Sequence, residues 1–237
     1  MHRVRALLLP IKDLRNAKKR LAALLTPEQR FALANAMLAD VEQALRDLRL
    51  ADEIFVVTDY PPAISTALKN GWQVIREDHQ ISESVSVDAA SRHCASLGVT
   101  SLLRVPLDVP LVRATDLDEL LAVECSAPAA VIVPSRDATG TNAILRTPPD
   151  LFPSHFGPGS FVKHTAEAER AGAKLFVRRN PRLEMDVDDE ADLRALLQHD
   201  LHGTETGAWL ERSGVASRLR VASITGPPSA VAATQEA

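Results

Sequence analysis

The sequence predicts an α/β chain with a doubly wound, mostly parallel sheet, and three observations predict it. Strand-like and helix-like patterns alternate from residue 4 to residue 134, as a βαβ series does. The apolar run Leu102-Leu103-Arg104-Val105-Pro106-Leu107 delivers a single carboxylate, Asp108, to its carboxyl end, where open α/β sheets receive their ligands. A chain of 237 residues with 46% hydrophobic content can bury one large core.

The elements follow in order. Val4 to Pro10 is an apolar strand, and Pro27 to Leu48 has helical periodicity, with Thr26 as N-cap and Pro27 at the first helical position. Glu53 to Thr58 is strand-like, Pro61 to Lys69 helical, and Trp72 to Arg76 a strand. Ser84 to Leu97 is a helix that stops at Gly98. After the Leu102 strand come a helix from about Asp116 to Val123 and a strand from Ala129 to Pro134. A Gly/Pro-containing insert, 137 to 160, precedes a helix near Phe161 to Ala171 and strands at 173 to 178 and 183 to 187. The stretch from Thr225 to Ala237 is rich in Pro, Ala and Ser and is expected to be disordered.

Asp108 is the first candidate for chemistry. A buried strand should not end on an unpaired charge between two prolines unless the charge has a partner. The alternatives are a bound cation and a cap for the helix near Asp116. A second acidic cluster favours the cation. Leu183-Glu184-Met185-Asp186-Val187-Asp188 alternates apolar and acidic residues before a helix opens at about Asp189. If Asp186 and Asp188 share a face, they can hold a metal with Asp108, and hard oxygen ligands select Mg²⁺ or Mn²⁺.

Two further segments suit anions. Five basic residues, among them Lys12, Lys18 and Arg20, follow the first strand on the edge that carries Asp108, as a polyphosphate would need. In the insert, Thr139-Gly140-Thr141-Asn142 and Gly157-Pro158-Gly159-Ser160 place small and hydroxyl residues where backbone must approach a ligand closely, and ordinary turns are the alternative. No G-x-G-x-x-G and no Walker lysine motif occurs.

Composition excludes other classes. The net charge of -4 forms no basic stripe, which argues against a nucleic-acid surface. The two cysteines, Cys94 and Cys125, have no metal spacing and are expected to be reduced thiols. No apolar stretch reaches the ~20 residues of a membrane span, and the N-terminal apolar run is too short for a signal sequence, so a cytoplasmic protein is expected. The seven histidines, His155 and His164 among them, are assigned to the surface or to supporting positions.

These motifs together resemble the CofC/FbiD guanylyltransferases of coenzyme F-420 biosynthesis, in the molybdenum-cofactor guanylyltransferase-like superfamily. P-I-K-x-L-x-x-A-K-x-R-L at 10 to 21, L-D-V-P-L-V at 107 to 112, T-G-T-N at 139 to 142, F-G-P-G-S-F at 156 to 161 and D-V-D at 186 to 188 carry the resemblance in the right order. It implies a Rossmann-like sheet of the nucleotide-diphospho-sugar transferase type in one domain over 1 to 224, with an acceptor-binding insert at 137 to 160. It implies transfer of GMP from GTP to 2-phospho-L-lactate, phosphoenolpyruvate or 3-phospho-D-glycerate by a monomer or homodimer. By matching position, Asp108 and Asp186 would be metal ligands with Asp188 close behind, and Lys18 would join Asp108 and Asp186 in catalysis. Lys12, Lys18 and Arg20 would lie along the nucleotide phosphates, and Thr141, Gly157 and Ser160 would hold the acid.

Two positions depart from the family pattern. Asp88 stands where a base-contacting amide is expected, and its carboxylate can accept from guanine N1-H and the exocyclic amine. Ala138 stands where glycine is expected. A molybdopterin or sugar-1-phosphate nucleotidyltransferase would carry a Gly-rich, Arg-containing loop after the first strand, which is absent. A non-catalytic nucleotide-binding module would have lost the acids, which are present.

Overall fold

The structure is a computed structural model that describes residues 3–77, 81–124 and 126–224. Seven strands form one sheet: β1 (Arg5–Pro10), β2 (Glu53–Val57), β3 (Gln73–Ile75), β4 (Ser101–Arg104), β5 (Ala129–Pro134), β6 (Thr141–Thr147) and β7 (Lys174–Val177). Their order is β3-β2-β1-β4-β6-β5-β7, and every pairing is parallel except those of β6.

Period-two alternation sends the strands' side chains to two different cores. Leu7, Leu9, Leu103, Val131 and Leu145 face α1 (Pro27–Arg46), α2 (Pro61–Lys69) and α4 (Ala114–Leu121). Ala6, Leu8, Phe55 and Leu102 face α3 (Glu83–Ser96), while Ala130, Ile132 and Ile144 pack with α5 (Ser160–Arg170). The other flank of α1 carries Leu33 and Met37 into a separate cluster with α6 (Glu190–Leu196), α7 (Glu205–Arg212) and α8 (Val215–Ile224). The start of α1 is a capping box, in which Thr26 Oγ1 accepts from Gln29 N-H and Gln29 Oε1 accepts from Thr26 N-H.

Four expectations are corrected. The Leu102 strand ends at Arg104, because Pro106 and Pro110 cannot donate to a ladder, so Asp108 lies on an irregular segment beyond it. The insert contains β6, seven buried residues that thread between β4 and β5 antiparallel to both. Residues 183–187 form no strand. Leu183, Met185 and Val187 are buried as alternation demands, but the backbone is held by side chains and by scattered bonds, Arg136 N-H to Glu184 O, Glu184 N-H to Asn180 O and Val187 N-H to Asp108 O, rather than by a ladder. Finally, α7 and α8 extend the helical layer beyond the last element read from the sequence. The 225–237 tail and Cys125 lie outside the described residues. Cys94 is buried on α3, and burial pushes its thiol up to about 12.

Candidate active site

The parallel strands release the chain at one edge of the sheet, and there the structure opens a cleft of about 550 Å³. The antiparallel strand β6 begins where its neighbours end, so Thr141 starts at this edge, beside a bulge at Val133/Pro134. Lys12, Arg20, Asp108, Thr141, Gly157, Ser160, Asp186 and Asp188 all line the cleft.

Lys18, expected along the nucleotide phosphates, does not line the cleft but is buried behind its carboxylates. Its backbone is left-handed at φ 52, an uncommon conformation for a residue with a Cβ. The ammonium, nearly removed from solvent, donates to Asp108 Oδ2 at 2.6 Å and to Asp188 Oδ1 at 3.0 Å. Burial alone would pull its pKa down, but Asp108 and Asp188 outweigh burial and raise it. Arg20 adds a second cation 3.6 Å from Asp188 Oδ2. Burial would raise the pKa of Asp188, and these two cations hold it below the usual carboxylate range.

Asp186 is in the opposite position. Burial, with Asp108 and Asp188 nearby, pushes its pKa up to about 6, although Asn142 Nδ2 donates to its Oδ1 at 3.1 Å. An unneutralised carboxylate beside two others is suited to a cation. Of the three carboxylates expected around a cation, Asp188 turns both oxygens to Lys18 and Arg20, Asp108 gives one oxygen to Lys18, and Asp186 faces no cation among the described residues. Among the described residues no group of three His, Cys, Asp or Glu side chains can hold a metal ion. Asp108 and Asp186 fit a hard divalent cation that takes one or two carboxylates and completes its shell from substrate phosphates.

Asp88 is also corrected. It does not line the cleft; its oxygens accept from Ser154 N-H at 2.9 and 3.2 Å and lie 3.6 Å from Arg146, which is itself buried. The acid therefore satisfies a buried guanidinium and is committed away from any base. The carboxylate that does face the cleft from this helix is Glu83, in its first turn. It pairs with Arg104, whose guanidinium lies 4.0 Å from the centre of the Phe156 ring.

The opposite wall is the insert. Gly157 and Gly159 have φ 113 and 71, so each needs a residue without a Cβ, and Gly159 N-caps α5. A Cβ on Gly157 would meet no protein atom within 4 Å. Ala138 has φ 58, which explains why glycine is the expected residue there. Ser135 and Asp137 fasten this turn: Ser135 Oγ donates to Asp137 at 2.6 Å and accepts from Gly140 N-H at 2.7 Å.

Sequence reasoning missed Asn142, Arg104, Glu83 and Arg136 as cleft residues. Asn142 belonged to a motif already singled out; the others carried no local signal, because only strand and helix placement brings them to the cleft.

A family model described as guanylyl transferase CofC like matches residues 5–224. The chain belongs to this family. Among CofC-like relatives, the phosphoenolpyruvate guanylyltransferase of Rubrobacter xylanophilus is 36% identical over 187 residues, covering 79% of this chain and 90% of the relative. The 2-phospho-L-lactate guanylyltransferase of Methanothermobacter thermautotrophicus is 27% identical, covering 86% and 89%. A Desulfovibrio desulfuricans G20 structure described as a nucleotide-diphospho-sugar transferase superposes with a TM-score of 0.75 at 17% identity, covering 92% of this chain and 98% of that one. That likeness establishes the CofC-like chain's fold as the nucleotidyltransferase type. Among the described residues no helix is long and apolar enough to cross a membrane.

Proposed function

We propose that this CofC-like enzyme transfers GMP from GTP to the phosphate of a small phosphorylated three-carbon acid and releases pyrophosphate, as a step of coenzyme F-420 biosynthesis. One observation carries the reading: a single cleft joins the basic segment after β1, the Asp108–Lys18–Asp188 cluster, Asp186 and the Thr141/Gly157/Ser160 wall. Nucleotide phosphates on the first side and an acid on the second would meet at the carboxylates. Phosphoenolpyruvate leads the candidate acids, because a relative named for it is 36% identical, and 2-phospho-L-lactate and 3-phospho-D-glycerate follow.

The reaction needs no covalent enzyme intermediate. A phosphate oxygen of the acid is deprotonated at neutral pH and needs positioning in line with the α-phosphorus of GTP and its departing pyrophosphate. Lys12 and Arg20 stand to offset charge on the leaving group, and Lys18 orders Asp108 and Asp188. Asp108 and Asp186 would hold Mg²⁺ or Mn²⁺, which when bound supplies Lewis-acid stabilisation of phosphoryl oxygens. Thr141, Ser160 and the Gly157 backbone would cradle the acid.

The test is pyrophosphate release with GTP crossed against the three acids, with Mg²⁺ and with chelator. Release with GTP and one acid, lost on chelation, is the expected result. No release with any of the three acids overturns the acceptor, and equal rates with ATP overturn the guanylyl assignment.

A further inference from the structure

We propose that His164 is a positioning residue that makes the Thr141 hydroxyl a one-way hydrogen-bond donor to an anionic oxygen of the acceptor acid. This rests on the proposed placement of the acid against Thr141.

A neutral imidazole has one N-H and one free lone pair, so fixing one nitrogen fixes the other. The backbone N-H of His155 donates to His164 Nε2 at 2.8 Å, so that nitrogen carries no proton. The ring proton is therefore on Nδ1, which lies 3.0 Å from Thr141 Oγ1 and donates to it. The ring is fully buried, and burial followed by the charges of Arg146 and Arg104 holds it neutral.

The consequence lies at Thr141. Its oxygen receives the ring N-H, so its own hydrogen must go elsewhere. No other group among the described residues takes it, and the side chain lines the cleft. The opposite tautomer would turn the hydroxyl hydrogen back onto the ring and present a lone pair, which repels a carboxylate or phosphate oxygen. Helix periodicity strengthens the arrangement. Ser160 and His164 are four residues apart on α5 and share a face, and the edge-on ring of Phe156, 5.1 Å away, braces the imidazole.

Three single variants, two double variants and one spectrum test this. With GTP and the preferred acid, His164→Leu is expected to raise the KM for the acid about tenfold or more, the loss of one hydrogen bond to a charged group. The KM for GTP should stay within about twofold. His164→Asn, which keeps an N-H near the Nδ1 position, should recover most of the loss. In a Thr141→Val background, His164→Asn and His164→Leu should add nothing. In ¹⁵N-histidine spectra of the intact protein, the signal that His164→Asn removes should be that of an Nδ1-H, Nε2-unprotonated ring. An Nε2-H ring, additive effects in the double variants, or equal losses for GTP and acid would each overturn the proposal. If His164→Leu does not fold, the ring tautomer in the ¹⁵N spectrum decides the proposal: an Nδ1-H, Nε2-unprotonated ring supports it and an Nε2-H ring overturns it. If wild-type enzyme releases no pyrophosphate with any of the three acids, the acceptor assignment has failed and this inference fails with it. If wild type is active and the cycle is additive, only the His164 role has failed.

Discussion

Burial beside Asp108 and Asp188 gives the Asp186 carboxylate a cost that a bound cation would offset. Its folded pKa, about 6, lies above the ordinary carboxylate value, so the stability it contributes is fully present below about pH 4 and is lost as pH rises through 6. Asp186→Asn is therefore expected to stabilise the ligand-free protein at pH 8 by about 2 kcal/mol, and to lower turnover on the order of 10³-fold. Denaturant melts and pyrophosphate release on the same preparation check both, and a destabilised or fully active variant contradicts the assignment. Asp88 makes the converse case. Asp88→Ala leaves Arg146 buried without its carboxylate and should cost about 3 kcal/mol in the same melts. Its preference for GTP over ATP should be unchanged, and a shift in that ratio would return Asp88 to base recognition.

At the scale of elements, the turn between β5 and β6 is the clearest point of strain. Ala138 sits at φ 58, where a Cβ costs roughly 1–2 kcal/mol, partly offset by the chain entropy of glycine. Ala138→Gly should thus stabilise the protein by about 0.5–1 kcal/mol, read as a higher denaturant midpoint at constant slope. A lower midpoint would mean that the Ser135–Asp137 bonds, not the backbone, set the turn. Much at this scale was legible. The α2 and β5 boundaries agree with the periodic pattern and with Pro61 and Pro134, and the α1 start agrees with its capping box. The β6 strand was not legible. T-N-A-I-L-R-T alternates poorly, because a strand walled in on both faces needs no alternation, and glycine and proline on either side made it look like loop. The 183–187 segment erred in the other direction. Its alternation reports burial of Leu183, Met185 and Val187, and burial alone does not supply a ladder partner.

For the whole molecule, two buried titrations oppose one another in mild acid. His164 has its pKa pushed down to about 3, chiefly by burial, so its contribution is present above pH 6.5 and is lost progressively as pH falls toward 3. Asp186 runs the other way between about pH 4 and 6. Wild-type melting temperature is expected to fall gently from pH 6.5 to 4, and Asp186→Asn should steepen that fall by removing the compensating group. Parallel profiles would show that another titration dominates.

The sequence by itself determined what depends on neighbours in the chain: the βαβ alternation, the α1 cap, the glycine turn before α5 and the placement of Asp108 past a buried strand. It also selected Lys12, Lys18, Arg20, Asp108, Asp186, Thr141, Gly157 and Ser160, because short motifs hold these residue types at fixed spacing. The tertiary structure decided which groups meet. Lys18 reaches carboxylates 90 and 170 residues away, Asp88 is claimed by a guanidinium on β6, and the His164 ring is oriented by a backbone N-H outside its helix. Each is a pairing of buried polar groups, and burial makes an unmet charge or donor costly enough that the packed fold, rather than local pattern, chooses the partner.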